Sequence, residues 1–210
     1  MNTKVERQQW SLDEQKFLTV EEIRLLKNKI RKRADKYPDR HSYVNDWFLV
    51  DLALSTGLRV QEIRDICCGD LFVGEESFVF VRNGKGGKQR SVRFNGEFKK
   101  HVIKYFDWKK YIGEDCAPSA PLFVSRVTGG HLNKRSLQKA FERCVRMAGI
   151  GRHHSIHHLR HTYACYLYKA SKYNLRVVQK QLGHASIVTT QVYADVVDKD
   201  LEQALERLYK

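Results

Sequence analysis

Long hydrophobic runs are missing from this 210-residue chain. No stretch approaches the roughly 18 uninterrupted apolar residues that a membrane-spanning helix needs. The opening segment, MNTKVERQQWSLDEQ, has no apolar signal core, so secretion is not expected. The five cysteines (Cys67, Cys68, Cys116, Cys144 and Cys165) are odd in number and form no C-x-x-C pair. They read as reduced, mostly buried thiols rather than a disulfide frame or a zinc ribbon. There is no internal repeat, no low-complexity run and no clustered Asp/Glu set suited to Mg²⁺.

What is present in excess is positive charge. Lys and Arg number 38 against 24 Asp and Glu, a formal net charge of +14. Such a surface points to a polyanionic partner, nucleic acid or an anionic membrane. Hydrophobic residues make up 42%, ordinary for a globular protein and too many for a disordered one. A chain of this length can bury about 70% of its unfolded surface, and no linker composition divides it.

Residues 1–16 read as a flexible polar tail and 17–210 as one domain. Thr19 and Glu22 form a capping-box start for a helix carrying Ile23, Leu26 and Ile30, which must stop before Pro38. A more buried helix is predicted over 42–55, interrupted by Asp51 and closed by Gly57. A short helix with Val60, Ile63 and Ile66 follows. Residues 77–82 and 89–94 are β-runs around a Gly-rich connection and read as a hairpin. Helices are predicted over 97–111, from a cap at Asn133 to Gly149, over 159–172, from a cap at Asn174 to Gly183, and over 199–209. Pro118 and Pro121 mark a loop, and 122–125 reads as a short strand. The fold class is mainly α with a small antiparallel β-sheet.

Four local patterns carry chemistry: Thr56-Gly-Leu-Arg59-Val-Gln-Glu62; Gly84-Lys85-Gly-Gly-Lys88-Gln-Arg90; His157-His-Leu-Arg160-His161-Thr162; and Leu182-Gly183-His184 with Tyr193 nine residues on. Two arginines present planar donor forks to phosphate oxygens and stabilise charge building on a five-coordinate phosphorus. A tyrosine, a poor nucleophile at its ordinary pKa near 10, needs a proton acceptor and a polarised electrophile. A Lys or His must protonate a departing sugar oxygen.

In this order the four patterns resemble the catalytic domain of the tyrosine recombinases, the phage-integrase family that includes the Xer-type enzymes. The resemblance covers about 17–210. It implies a site-specific DNA recombinase in which Tyr193 attacks a DNA phosphate to form a 3′-phosphotyrosine. Arg59 and Arg160 then hold the non-bridging oxygens, and Lys85 enters the minor groove and protonates the 5′-oxygen. His157 accepts the Tyr193 proton, His184 adds a hydrogen bond to the phosphate, and Glu62 orients the site. Lys88 and Arg90 are expected to bind DNA. No ATP, metal or other cofactor is implied. The partners implied are duplex DNA with specific sites and further copies of the chain, a dimer per site and a tetramer in synapsis. The expected location is cytoplasmic and nucleoid-associated. The pattern begins near Phe17, which leaves no room for the N-terminal core-binding domain most members carry, so the expectation is either a naturally minimal recombinase or one that needs a helper DNA-binding protein.

Blander readings stand beside these. The histidines His153, His154, His157, His158 and His161 include i, i+4 pairs, but H-E-x-x-H fails because His154 stands where Glu is needed. His158 and His161 are assigned to packing or surface. Tyr163, Tyr166 and Tyr168 are assigned to a helix core. The basic runs 27–36 and 99–110 are either solvated helix faces or phosphate contacts. The last helix packs on its own domain or on a neighbouring copy. A type IB topoisomerase and a catalytically dormant DNA-binding regulator are the competing functions.

Overall fold

The structure, a computed structural model, describes residues 16–197. The polar tail over 1–15 and the final helix expected over 199–209 lie outside the described residues. Helix α1, Val20–Lys36, starts on the expected capping box, with Thr19 Oγ1 accepting from Glu22 N and Glu22 Oε2 accepting from Thr19 N. It ends at Tyr37, because the residue before Pro38 is kept out of the α region. Helix α2, His41–Thr56, is buried along most of its surface, as its apolar composition requires. Asp51, buried on it, is met by Lys27 at 2.9 Å and by His101. Helix α2 stops at Gly57 in the left-handed conformation, and α3, Val60–Asp65, follows.

Three strands, β1 (Leu71–Phe72), β2 (Phe78–Val81) and β3 (Arg90–Arg93), form an antiparallel sheet in the order β1-β2-β3. Val79 pairs with Val92 and Val81 with Arg90, so Val79, Val81 and Val92 share the buried face. Helices α4 (Gly96–Tyr111), α5 (Lys134–Ala148), α6 (Ile156–Ala170), α7 (Leu175–Leu182) and α8 (Val188–Val197) complete the described chain. Asn133 and Asn174 cap α5 and α7 as expected, and Gly149 and Gly183 close them.

Three expectations are corrected. Residues 122–125 form no strand; two isolated bridges, Cys67–Pro121 and Val124–His131, replace it. Helix α6 begins at Ile156 and ends at Ala170, followed by Lys172 and Tyr173 at positive φ. Helix α8 and strand β1 are additions to the expected elements; β1 is two residues long, too short to show a period. The apolar interior falls into two clusters. The larger joins α1–α6 and the sheet around Phe48, Tyr105 and Phe141. The smaller, under α6, α7 and α8, holds Ala164, Cys165, Tyr168, Val178, Leu182 and Tyr193. No helix among the described residues is long and apolar enough to cross a membrane.

Candidate active site

The C-terminal end of α2 is where the separated patterns meet. The turn after Gly57 leads to Arg59, whose backbone N–H donates to Glu62 Oε2 at 2.8 Å and whose Nη1 donates to Glu62 Oε1 at 2.9 Å. Glu62 is buried on α3 and also accepts both terminal nitrogens of Arg90, each at 2.8 Å. Burial pushes its carboxyl up, but Arg90 and then the Arg59 backbone outweigh it, so the pKa lies below the ordinary value.

Arg90 is expected from the sequence to bind DNA. The structure instead turns it inward, and the reason lies in strand period: Arg90 shares the face of β3 that carries buried Val92, so its guanidinium needs a buried carboxylate. Its Nε also reaches the Gln181 carbonyl at 3.4 Å. Lys88 is exposed at the end of the hairpin turn, and Lys85 sits within that turn, followed by Gly86 and Gly87 at positive φ.

Helix α6 presents His157, Arg160, His161 and Ala164 on one stripe, since spacings of three and four residues align on a helix. Arg160 is only 6% exposed. Its Nη1 donates to the Gly57 carbonyl at 2.6 Å, and its Nη2 to the Leu182 carbonyl and to His184 Nε2, both at 3.0 Å. Three of its five donors are thus engaged by neutral acceptors, and two remain for a ligand. Burial, then the neighbouring Arg59 charge, lowers its pKa to about 10.

Since arginine only donates, His184 Nε2 must accept; its proton sits on Nδ1, which donates to Thr190 Oγ1 at 3.0 Å. Burial and the Arg160 charge lower His184 to about 4, so the ring is neutral at pH 7. The glycines of two patterns have steric reasons. Gly57 is at φ +62°, and a Cβ there would lie 2.3 Å from Tyr163 Cδ1; at Gly183, φ +65°, it would lie 2.5 Å from Arg90 Cδ.

Tyr193 stands on α8, 2% exposed, its ring parallel to that of His184 at 6.4 Å. Its hydroxyl meets His161 Nδ1 at 3.2 Å. Burial pushes the phenol up to about 12, against the opposing Arg160 charge. Burial and neighbouring His158 lower His161 to about 4. His161, assigned to packing or surface in the sequence, is therefore the imidazole beside the phenol. The signal that marks it is its place one residue after Arg160, on the stripe that faces the site. His157, expected in that role, is exposed on the outer edge of the stripe; desolvation and the Arg160 and Arg59 charges lower its pKa. Thr162, in the same pattern, is structural: its Oγ1 accepts from Leu18 N and donates to the His158 carbonyl.

Around the cluster, Arg59, Arg90 and Arg160 face one buried carboxylate, Glu62, leaving a net positive site suited to an anion of phosphate shape. Among the described residues no group of three metal-ligating side chains occurs.

Known proteins are similar to this chain in sequence and in fold. The pattern of the Phage integrase family matches residues 16–200. The tyrosine recombinase XerC of Neisseria gonorrhoeae (strain ATCC 700825 / FA 1090) is 38% identical over 150 residues, covering 71% of this chain and 47% of its own. The chain thus spans about half the length of that curated relative. In solved structures, XerA recombinase superposes with a TM-score of 0.72 at 26% identity, covering 91% of this chain and 64% of that one. XerH site-specific recombinase, bound to palindromic difH substrate as a post-cleavage complex, superposes at 0.73 with 24% identity, covering 92% and 53%. The chain belongs to the phage integrase family, with the fold of a tyrosine recombinase catalytic domain over its described residues.

Proposed function

We propose that this chain cuts and rejoins duplex DNA at specific sites through a 3′-phosphotyrosine intermediate. The observation that carries the reading is convergence: Arg59, Glu62, Arg160, His184 and Tyr193 come from four separate segments into one positive cluster.

In this reading Arg59 and Arg160 clamp the non-bridging oxygens of the scissile phosphate, and Glu62, held by Arg90, keeps Arg59 aimed. His184 donates nothing to the anion in its resting tautomer; it fixes the Arg160 fork, and it turns to the phosphate when Arg160 does. The buried phenol must reach DNA, so α8 shifts on substrate binding. The Tyr193 oxygen attacks phosphorus as its proton passes to His161. The P–O5′ bond breaks, and the leaving 5′-oxygen takes a proton from Lys85 on its glycine turn. His157 meets the phosphate from the outer edge. A 5′-hydroxyl from the partner strand then attacks the phosphotyrosine and returns the phenol, so bond energy is kept without ATP. Lys88 tracks the backbone beside Lys85. Two copies act per site and four at synapsis, with a helper DNA-binding protein completing the grip.

The test is incubation with nicked suicide duplexes carrying candidate sites. A covalent protein–DNA adduct mapped to Tyr193, lost in Tyr193→Phe, is expected. Relaxation of a plasmid lacking any partner site would instead identify a topoisomerase. Tight binding without adduct on any site would identify a dormant regulator.

A further inference from the structure

The cations of this protein divide into two populations. Several are paired: Lys27 with Asp51, Arg31 and Lys104 with Asp35, Arg143 with Asp46, and Arg152 with Glu22. Others, Lys29, Lys32, Lys36 and Arg40, are exposed and have no carboxylate partner among the described residues. These four gather in one place. With Arg33, Tyr37 and Tyr43 they line a groove of about 520 Å³ between the second half of α1 and the start of α2. No acidic residue lines it; Asp39 lies in the connecting turn but outside the groove.

The groove has a fixed floor. Arg33 lies over the Tyr43 ring at 3.7 Å and donates to Met147 Sδ, while Tyr37 and Tyr43 meet edge to face at 6.0 Å. Lys29, Lys32 and Lys36 follow one another along the same face of α1. The rise from Lys29 to Lys36 is about 10 Å, the axial span of about three phosphates on one DNA strand. Tyr37, 45% exposed at the end of the row, offers an aromatic surface beside it. The groove is remote from the cluster around Arg160. It opens at the first turn of α2, whereas Arg160 binds the carbonyl of Gly57 just past the last; at 16 residues, α2 separates them by about 24 Å.

We propose that this groove is a second docking site for the sugar–phosphate backbone of duplex DNA, independent of the catalytic pocket. It rests on the reading of DNA as substrate. Its role is to hold DNA on the far side of the domain, adding affinity without sequence information.

The experiment uses the full chain in a Tyr193→Phe background and a long random-sequence duplex. The triple variant Lys29→Gln, Lys32→Gln, Lys36→Gln changes only exposed helix positions, and its circular dichroism should match the parent. Its log K against log salt slope should flatten by about 2.7, at about 0.9 for each phosphate no longer neutralised. A control triple, Lys100→Gln, Lys110→Gln, Lys134→Gln, removes the same charge elsewhere and should leave the slope within about 0.9 of the parent. A groove variant with an unchanged slope, or a control that flattens equally, overturns the proposal. So does groove-dependent binding to phosphatidylserine vesicles or polyglutamate in place of the duplex. Adduct formation with Tyr193 restored, on a suicide duplex limited to the crossover region, should be unaffected by the groove triple. If the parent forms no adduct while the groove still sets the slope, the recombinase reading fails and the groove stands.

Discussion

Single protons separate the roles of the histidines around Tyr193. His158, His161 and His184 are each lowered to about 4, and burial is the leading cause in every case. A group depressed in the folded state because its neutral form is buried gives stability that is complete above its unfolded value, near 6.5, and is lost as pH falls toward 4. Tyr193 has the opposite sign: raised to about 12, it gives stability complete below pH 10 and lost between 10 and 12. The urea midpoint should therefore be level from about pH 7 to about 8.5, where the thiols of the unfolded chain and then its tyrosines begin to ionise, and fall on both sides. His161→Phe should raise the acid-side midpoint relative to the parent while lowering adduct formation by about 100-fold, the scale of a lost general base. Thr190→Val removes the acceptor that keeps the His184 proton on Nδ1. Adduct formation should drop about tenfold with DNA affinity unchanged, as for other orienting partners of a functional imidazole.

Element by element, the turns do as much as the helices. Gly183→Ala asks for a Cβ within 2.5 Å of Arg90 Cδ at a φ of +65°, so Arg90 must move away and Glu62 loses two of its four hydrogen bonds. Chemical denaturation should show a loss of at least about 1–3 kcal/mol. Glu62→Ala leaves three guanidinium groups crowded around no carboxylate and should cost about 3–5 kcal/mol. A suppressor that also replaces Arg90 with an apolar residue should recover part of that stability without recovering adduct formation. Helix caps are legible in the sequence because a cap acts locally: Thr19, Asn133, Asn174, Gly149 and Gly183 work within three or four residues of themselves. Helix α8 is not legible. Its polar first turn and short length give no apolar stripe long enough to read, and it is kept helical by packing on α6 and α7.

In the whole molecule, the two apolar clusters differ in size, and Tyr193, the proposed nucleophile, belongs to the smaller. Less buried apolar surface means a lower opening free energy. Amide exchange in α7 and α8 should therefore be faster than in α2 or α5, and substrate DNA should slow it in α8. Were α8 to exchange with the global unfolding of α2, no local release of Tyr193 would be possible and the proposed shift would fail. The thiols follow the same division between interior and surface: Cys68, Cys144 and Cys165 are buried, and burial raises Cys68 to about 11 and Cys165 to about 12, whereas Cys67 and Cys116 are half-buried, so native alkylation near pH 8 should be confined to those two. Within the +14 charge, Lys29, Lys32, Lys36 and Arg40 gather along the α1 groove, which no acidic residue lines.

The residues proposed to carry the chemistry are legible in the sequence. Arg59, Arg160, His184 and Tyr193 sit at spacings that short motifs preserve, and helical stripes and caps depend on near neighbours. Which partner each side chain meets is decided only by the tertiary structure. The sequence sends Arg90 to DNA because its true partner, Glu62, lies 28 positions away on another element, and it leaves His161 in the packing because the phenol it meets lies 32 positions on. Burial and long-range pairing are properties of the packed molecule, and they set which donor stays open to a phosphate and which is already held.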